Sequence, residues 1–278
     1  MKLYNFTKMH GLGNDFLIFP WSEELPKKKL IKALSSRSKG VGCDLIVFLV
    51  KLEKNIANYK THFFNHDGTR AEICGNALRC IGKLHYENFS SKNCLIETDS
   101  GLVDVEFNND STVSVDIGLP KFNWKDIPLI KEMNGFNLGF DFSYLKNGFA
   151  LNLGNPHLVF VVEKIDKKKL REDSFKVRNS KIFPEGVNIS VVEILKKNEI
   201  SILTSERGVG LTEACGTGAC ASVVATNKMQ LVEKKVSVNM PGGFLKVEIT
   251  SNEHIFMTGG ATKVFEGKID FEDLRNVK

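Results

Sequence analysis

Apolar and polar residues alternate along Leu102 to Phe107, Val113 to Ile117, Ile200 to Leu203 and Val236 to Val238, and a period of two predicts β-strands. The unbroken apolar run Leu45 to Val50 has the length of a strand buried on both faces. Two further stretches, Asn76 to Tyr86 and Gly218 to Lys228, lack proline and carry apolar residues at helical spacing. They predict helices that begin just after Cys74 and Cys215.

These elements recur at a nearly constant distance. Gly13-Asn14 followed by Asp15-Phe16-Leu17-Ile18-Phe19 returns 141 positions later as Gly154-Asn155 followed by Pro156-His157-Leu158-Val159-Phe160. The same offset carries Glu72-Ile73-Cys74-Gly75-Asn76-Ala77 onto Glu213-Ala214-Cys215-Gly216-Thr217-Gly218. At 142 positions Gly101-Leu102-Val103-Asp104-Val105-Glu106 meets Gly243-Phe244-Leu245-Lys246-Val247-Glu248, and Gly118 meets Gly260. At 144 positions Gly42-Cys43-Asp44-Leu45 meets Gly186-Val187-Asn188-Ile189. Four blocks in one order point to a duplicated unit. The expected fold is α+β, with two pseudo-symmetric domains, each a curved, barrel-like and mostly antiparallel sheet around a central helix, and an active site in the cleft between them. The expected boundaries are 1–118, completed by the tail 263–278, and 119–262, with Leu119 to Pro128 crossing from one to the other.

Composition narrows the class. The 278 residues are 42% hydrophobic and 26% charged, which excludes both a small stapled module and whole-chain disorder. Net charge is +5, but the lysine runs Lys27 to Lys29 and Lys167 to Lys169 are short and isolated, so they read as solvated faces and not as a nucleic-acid track. Met1 to Phe19 has no signal-peptide pattern, and no apolar run approaches the ~20 residues needed to cross a bilayer. A cytoplasmic protein is expected, and in that reducing compartment the six cysteines (43, 74, 80, 94, 215, 220) do not read as a disulfide framework.

Cys74 and Cys215 differ from the rest in standing where a turn becomes a helix. Helix amino termini carry unpaired N–H groups and a partial positive charge, which attract carboxylates and ease thiol ionisation. If the duplicated units face each other, one thiol can remove a proton from one side of a carbon while the other delivers one from the opposite side. That suits inversion of a centre bearing a weakly acidic hydrogen, with the helix ends stabilising the carboxylate as it becomes enediolate-like. Cys43, Cys80 and Cys94 read as small core residues, and Cys80 and Cys220 lie inside the helices. The C-x5-C and C-x4-C spacings do not make a zinc site, and no metal is expected.

The stretches His10-Gly11-Leu12-Gly13-Asn14-Asp15, Asn65 through Cys74-Gly75-Asn76, Gly154-Asn155-Pro156-His157, Phe183-Pro184-Glu185-Gly186-Val187-Asn188 and Glu206-Arg207-Gly208 through Ala214-Cys215-Gly216-Thr217-Gly218-Ala219 closely resemble diaminopimelate epimerases, from end to end. The resemblance implies two similar α/β domains, a homodimer, and interconversion of LL- and meso-diaminopimelate without pyridoxal phosphate, metal or other cofactor, on the route to lysine and peptidoglycan precursors. It implies that the partner is this small molecule, with neither nucleic acid nor membrane. By the same resemblance Cys74 and Cys215 are the acid/base thiols, the first donating and the second accepting, with roles exchanged in reverse. His157 and Glu206 match residues that tune the thiols. Gly75-Asn76 and Gly216-Thr217 match the backbone grip on the reacting carboxylate. Asn14, Asn65, Asn155, Asn188, Glu206 and Arg207 match the pocket for the distal amino acid end, where Arg207 can fork onto a carboxylate and Glu206 can accept from an ammonium.

Three positions depart from the family pattern. Leu45 stands where glutamine is common after Gly-x-Asp, Ala77 replaces the second glycine of the first cysteine motif, and Phe265 replaces a tyrosine at the dimer contact. Leu45 leaves room for a racemase of another amino acid, such as histidine. A thiol-based metal or redox-sensing protein, its two cysteines bridging on oxidation, is the reading from a different class.

Overall fold

Leu12 and Gly13 have φ of 56° and 84°. Two consecutive positive φ values make the two-residue turn whose twist matches antiparallel strands, and here it joins Leu3–Gly11 to Asn14–Pro20. That turn begins the first of two units in the computed structural model, which describes residues 2–53 and 56–275. One unit takes the residues up to Val115 and those from Gly259 onward, and the other takes Asp116–Thr258.

In the first unit Asn14–Pro20 runs parallel to Leu45–Lys51, which pairs antiparallel with Tyr59–Asn65. Tyr59–Asn65 runs parallel to Asn93–Thr98, and Gly101–Phe107 and Val113–Asp116 follow antiparallel. The strand Thr262–Asp270 lies antiparallel on Leu3–Gly11, from Leu3 opposite Asp270 to His10 opposite Thr262. A parallel step needs a crossover, and each is filled by a helix, Lys28–Ser35 for the first and Gly75–Phe89 for the second.

The second unit repeats this path. Phe149–Asn152 pairs antiparallel with Pro156–Val161, which runs parallel to Asn188–Lys196 after the helix Lys167–Asn179. Asn188–Lys196 pairs antiparallel with Glu199–Glu206, which runs parallel to Lys235–Met240 after the helix Gly216–Lys228. Gly243–Ile249 and Ile255–Gly259 close the series antiparallel. Each unit is therefore a mostly antiparallel sheet with a helix in each of its two crossovers, and this strand-and-crossover path is duplicated.

The spacing predicts one helix per unit, whereas each unit has a second in its first crossover. The lysine runs conceal them. Lys27 to Lys29 and Lys167 to Lys169 are exposed, but each is followed at once by a buried leucine that opens an apolar stripe: Leu30, Ile31 and Leu34 in one helix, Leu170 and Val177 in the other. Asp166 caps the latter by accepting from Lys168 N at 2.9 Å and Lys169 N at 3.0 Å. The ladders also correct the match at 144 positions. Phe16 stands beside Leu45 as His157 stands beside Asn188, so Asn188 occupies the place of Leu45 and not of Asp44.

The two central helices bury themselves differently. Gly75–Phe89 is buried on every side from Gly75 to Gly82 and, beyond that, only at His85, and it packs against Leu3–Gly11, Asn93–Thr98 and Gly101–Phe107. In Gly216–Lys228 every residue from Gly216 to Thr226 is buried, and the helix touches six strands of its unit. A helix apolar all round belongs inside a core, and its small side chains let the sheet wrap close. Ser222 and Thr226 turn their hydroxyls back onto Gly218 O and Ser222 O, both at 2.7 Å, so burial strands neither. Aromatic rings help fill the first unit's core, where Phe19 and Trp21 each pack against both Phe48 and Phe271. Among the described residues no helix is long and apolar enough to cross a membrane.

Candidate active site

Cys74 is the residue before the helix Gly75–Phe89, with extended φ and ψ of −140° and 100°, and its carbonyl accepts the first helical bond from Leu78 N at 2.9 Å. No side chain caps this end and no acidic residue sits in its first turn. The positive end of the helix is thus not neutralised by its own first turn, and Gly75 and Asn76 supply its first amides. The thiol lies 4.0 Å from Asn14 Oδ1, which also accepts from Asn76 Nδ2 at 3.2 Å. Asn14, Cys74 and Asn76 thereby form one group. Asn65 is not part of that bonded group. It ends the strand Tyr59–Asn65 and donates to Thr69 Oγ1 at 3.0 Å, closing a turn.

Cys215 repeats the arrangement before Gly216–Lys228, with φ and ψ of −123° and 107°, again without a side-chain cap or a first-turn acid. Its environment is different. The thiol is buried and bonded to the Glu206 carboxylate, and burial first, then the Glu206 charge, push it well above the ordinary thiol range. The Gly218 N–H and the Thr217 hydroxyl, 3.8 Å away, pull the other way without winning. Cys215 is therefore held as a thiol beside the Glu206 carboxylate. Glu206 is itself held by Thr212 Oγ1 at 2.6 Å, and its backbone carbonyl accepts from Arg178 Nη2 at 3.3 Å.

His157 is wholly buried and its Nε2 lies 2.7 Å from Asn155 Oδ1. Burial and the nearby Arg207 charge hold its pKa down to about 3, so the ring is neutral and acts through hydrogen bonds. Nε2 carries the proton toward the asparagine carbonyl, which leaves Nδ1 as a buried acceptor without a partner. Asn188 is buried and accepts from Arg207 N at 2.9 Å, while one guanidinium nitrogen of Arg207 donates to Glu185 O at 2.9 Å. Asn188 thus holds the backbone from which the Glu206 and Arg207 side chains project.

Motif reading did not single out Arg178, which clasps Ser205 O, Ser205 Oγ and Glu206 O. Its only signal is a basic residue in the last turn of a helix that the lysine run hid. Leu45 is buried at the start of its strand, between Phe16 and Asn65 in the ladders. Phe265 is exposed on Thr262–Asp270, edge-on to Phe6 at 5.9 Å. Cys43, Cys80 and Cys94 are core residues whose thiols burial pushes up to about 11, 12 and 12, and Cys220 is buried too.

Gly218 has a reason to differ from Ala77, its counterpart in the first unit. A methyl group there would stand 2.9 Å from Thr204 Oγ1 and 3.1 Å from Cys215 Sγ. Gly218→Ala gains helix propensity of up to ~1 kcal/mol but displaces the thiol. The expected result is a fall in turnover of about tenfold or more, since small misplacements at a reacting group are costly. Unfolding by denaturant should show stability held to within ~1 kcal/mol. Equal losses in both measurements count against a role for this close contact.

A family model described as "Diaminopimelate epimerase" matches residues 6–123 and 149–264. A protein of Zymomonas mobilis subsp. mobilis named diaminopimelate epimerase is 38% identical over 270 residues, covering 96% of this chain and 98% of its own. One of the same name from Sphingopyxis alaskensis is 39% identical over 270 residues, covering 96% and 97%. Among solved structures, a hydroxyproline epimerase from Agrobacterium vitis with bound trans-4-hydroxy-L-proline aligns with a TM-score of 0.69 at 12% identity, over 96% of this chain and 92% of that one. At that identity the likeness speaks for the fold alone.

Proposed function

Since the chain belongs to the diaminopimelate epimerase family, we propose that it interconverts LL- and meso-diaminopimelate by passing protons through Cys74 and Cys215. The observation that carries this reading is the pair of cysteines at matching, uncapped helix starts in two duplicated units, one of them bonded to a carboxylate.

The chemistry balances without an external oxidant or reductant. The α-hydrogen leaves as a proton to the thiolate of one cysteine, and its electron pair delocalises into the carboxylate as an enediolate. The opposite face of the carbon then takes a proton from the thiol of the other cysteine. One S–H bond forms and one breaks, and the enzyme is left with its thiol and thiolate exchanged. The backbone amides of Gly75, Asn76, Gly216 and Thr217 stabilise the carboxylate as its charge grows, the larger contribution to such a step.

Cys215 must ionise to accept a proton, and Glu206 opposes that. A substrate ammonium paired with Glu206 cancels the opposing charge, so the base is released when substrate is present. Arg207 grips the distal carboxylate, and Asn14, Asn65, Asn155 and Asn188 shape the pocket that checks the second L-centre, which a single-centre amino acid lacks. His157 tunes the site as a neutral hydrogen-bonding ring. No pyridoxal phosphate or metal takes part, and the reaction serves lysine and peptidoglycan precursor synthesis in the cytoplasm. The exposed Val264 and Phe265 on Thr262–Asp270 offer an apolar contact for a homodimer, for which sedimentation should give twice the chain mass.

LL-diaminopimelate incubated with the protein in deuterated water should yield meso product carrying deuterium at the inverted α-carbon. Absence of product, or product without deuterium, refutes the reading. Leu45 favours one second reading, a racemase of a single-centre amino acid, and faster turnover of such a substrate in the same assay selects it.

A further inference from the structure

The geometry points to Asp44 as a positioning residue that fixes which way round the Asn14 side-chain amide lies, so that its carbonyl oxygen and not its NH2 group faces Cys74. This rests on the reading of Cys74 as an acid/base thiol.

Asp44 is the residue before the strand Leu45–Lys51. Its Oδ2 accepts from Asn14 Nδ2 at 3.1 Å and from Asp15 N at 3.1 Å, and its Oδ1 accepts from Arg37 Nη2 at 2.6 Å. Around it, Arg37 forks onto Asp15 at 3.1 and 2.7 Å, and Lys8 reaches Asp15 at 2.5 Å. Asp44 N also donates to Asp15 Oδ1 at 2.9 Å. The carboxylate is therefore held in place from several sides.

A carboxylate can only accept, whereas an asparagine end has one donating and one accepting side. The side of Asn14 that faces Asp44 must then be its NH2, which sends Oδ1 toward Cys74 Sγ at 4.0 Å and Asn76 Nδ2 at 3.2 Å. Turned over, the amide would set oxygen against carboxylate and NH2 against NH2. The polarity runs one step further, because Asn76 spends its NH2 on Asn14 and keeps Oδ1 buried and without a partner. That oxygen is an acceptor at the first turn of the helix, suited to an N–H donor such as a substrate ammonium. For the thiol the direction matters in the same sense. A carbonyl oxygen receives S–H and holds the proton in place, whereas an N–H group would favour the thiolate.

Cys74 is half-buried and the other five cysteines are buried, so alkylation by iodoacetamide across pH, followed by the mass of the peptide containing residue 74, reads this thiol. Asp44→Asn no longer dictates the amide's direction, because asparagine can turn either an acceptor or a donor to Asn14, and the alkylation midpoint of Cys74 should fall by about one pH unit. Turnover of LL-diaminopimelate should fall by about tenfold or more. Loss of a negative charge alone would lower the midpoint too, and the Asn14→Ala background separates the causes. There, Asp44→Asn should leave the midpoint unmoved. Arg37→Gln, which breaks the ion pairs but spares the Asn14–Asp44 bond, should not lower it. An unmoved midpoint in Asp44→Asn, a fall that persists without the Asn14 amide, or an equal fall in Arg37→Gln overturns the proposal.

If Asp44→Asn does not fold, the unaltered protein supplies the reading. Asn14 Nδ2 and Asp15 N donate to the same oxygen, so their protons should show a nuclear Overhauser contact, and its absence overturns the proposal. Neither alkylation nor this contact needs turnover, so a protein that fails to act on diaminopimelate still tests the amide's direction separately.

Discussion

Cys74→Ala and Cys215→Ala each lower turnover of LL-diaminopimelate by about a hundredfold to ten-thousandfold, the range general acid–base groups contribute. On the proposed two-thiol path each variant leaves one face of the carbon without its donor or acceptor. The double variant is expected to be little worse than either single one, since the thiols act as a unit. Stability should change by only ~1 kcal/mol, because neither side chain caps its helix and the loss is at most one buried sulfur. Initial rates in deuterated water, set beside denaturant midpoints, check both halves of the statement. A single variant that keeps more than about a tenth of the rate removes that cysteine from the proton path.

Glu206→Gln moves two measurements in opposite directions. The Glu206 charge raises the Cys215 thiol, so removing it lets Cys215 ionise at lower pH in the free enzyme, although burial still holds the thiol up. The ultraviolet absorbance of the Cys215 thiolate, taken as the difference from the same protein with Cys215→Ala, should then rise at lower pH than in the unaltered protein. Turnover should nevertheless fall by about tenfold to a hundredfold, because the charge-assisted bond proposed between Glu206 and the substrate ammonium, roughly 1.5–3 kcal/mol, is lost. An easier thiolate in a slower enzyme is the signature of a carboxylate that both restrains the thiol and binds substrate. A Cys215 profile shifted to higher pH contradicts the sign and with it the role of Glu206.

The duplication and the two thiols were legible because they are written in local patterns: glycines at matching turns, and cysteines where apolar spacing switches to a helical period. The crossover helices were not, because lysine runs masked the buried leucines behind them, and Leu170 and Val177 are too sparse a stripe to stand out. Asn188 was matched to Asp44 because both precede an apolar residue, while the ladders set it against Leu45. Arg178 and Asp44 act through partners 27 to 30 positions away, and their chemistry exists only once the strands are paired. The neutrality of His157 is likewise a product of complete burial, which no spacing reports.

Within the repeated ladders, His157 holds the place of Phe16, Asn188 that of Leu45, and Glu206 that of Asn65. A second unit identical to the first would carry two hydrocarbons and an amide at these places. Replacing two hydrocarbons and an amide by an imidazole, an amide and a carboxylate breaks that equivalence at three neighbouring points. The duplicated scaffold thus stands twice, while the second copy alone carries an imidazole and a carboxylate at these three places.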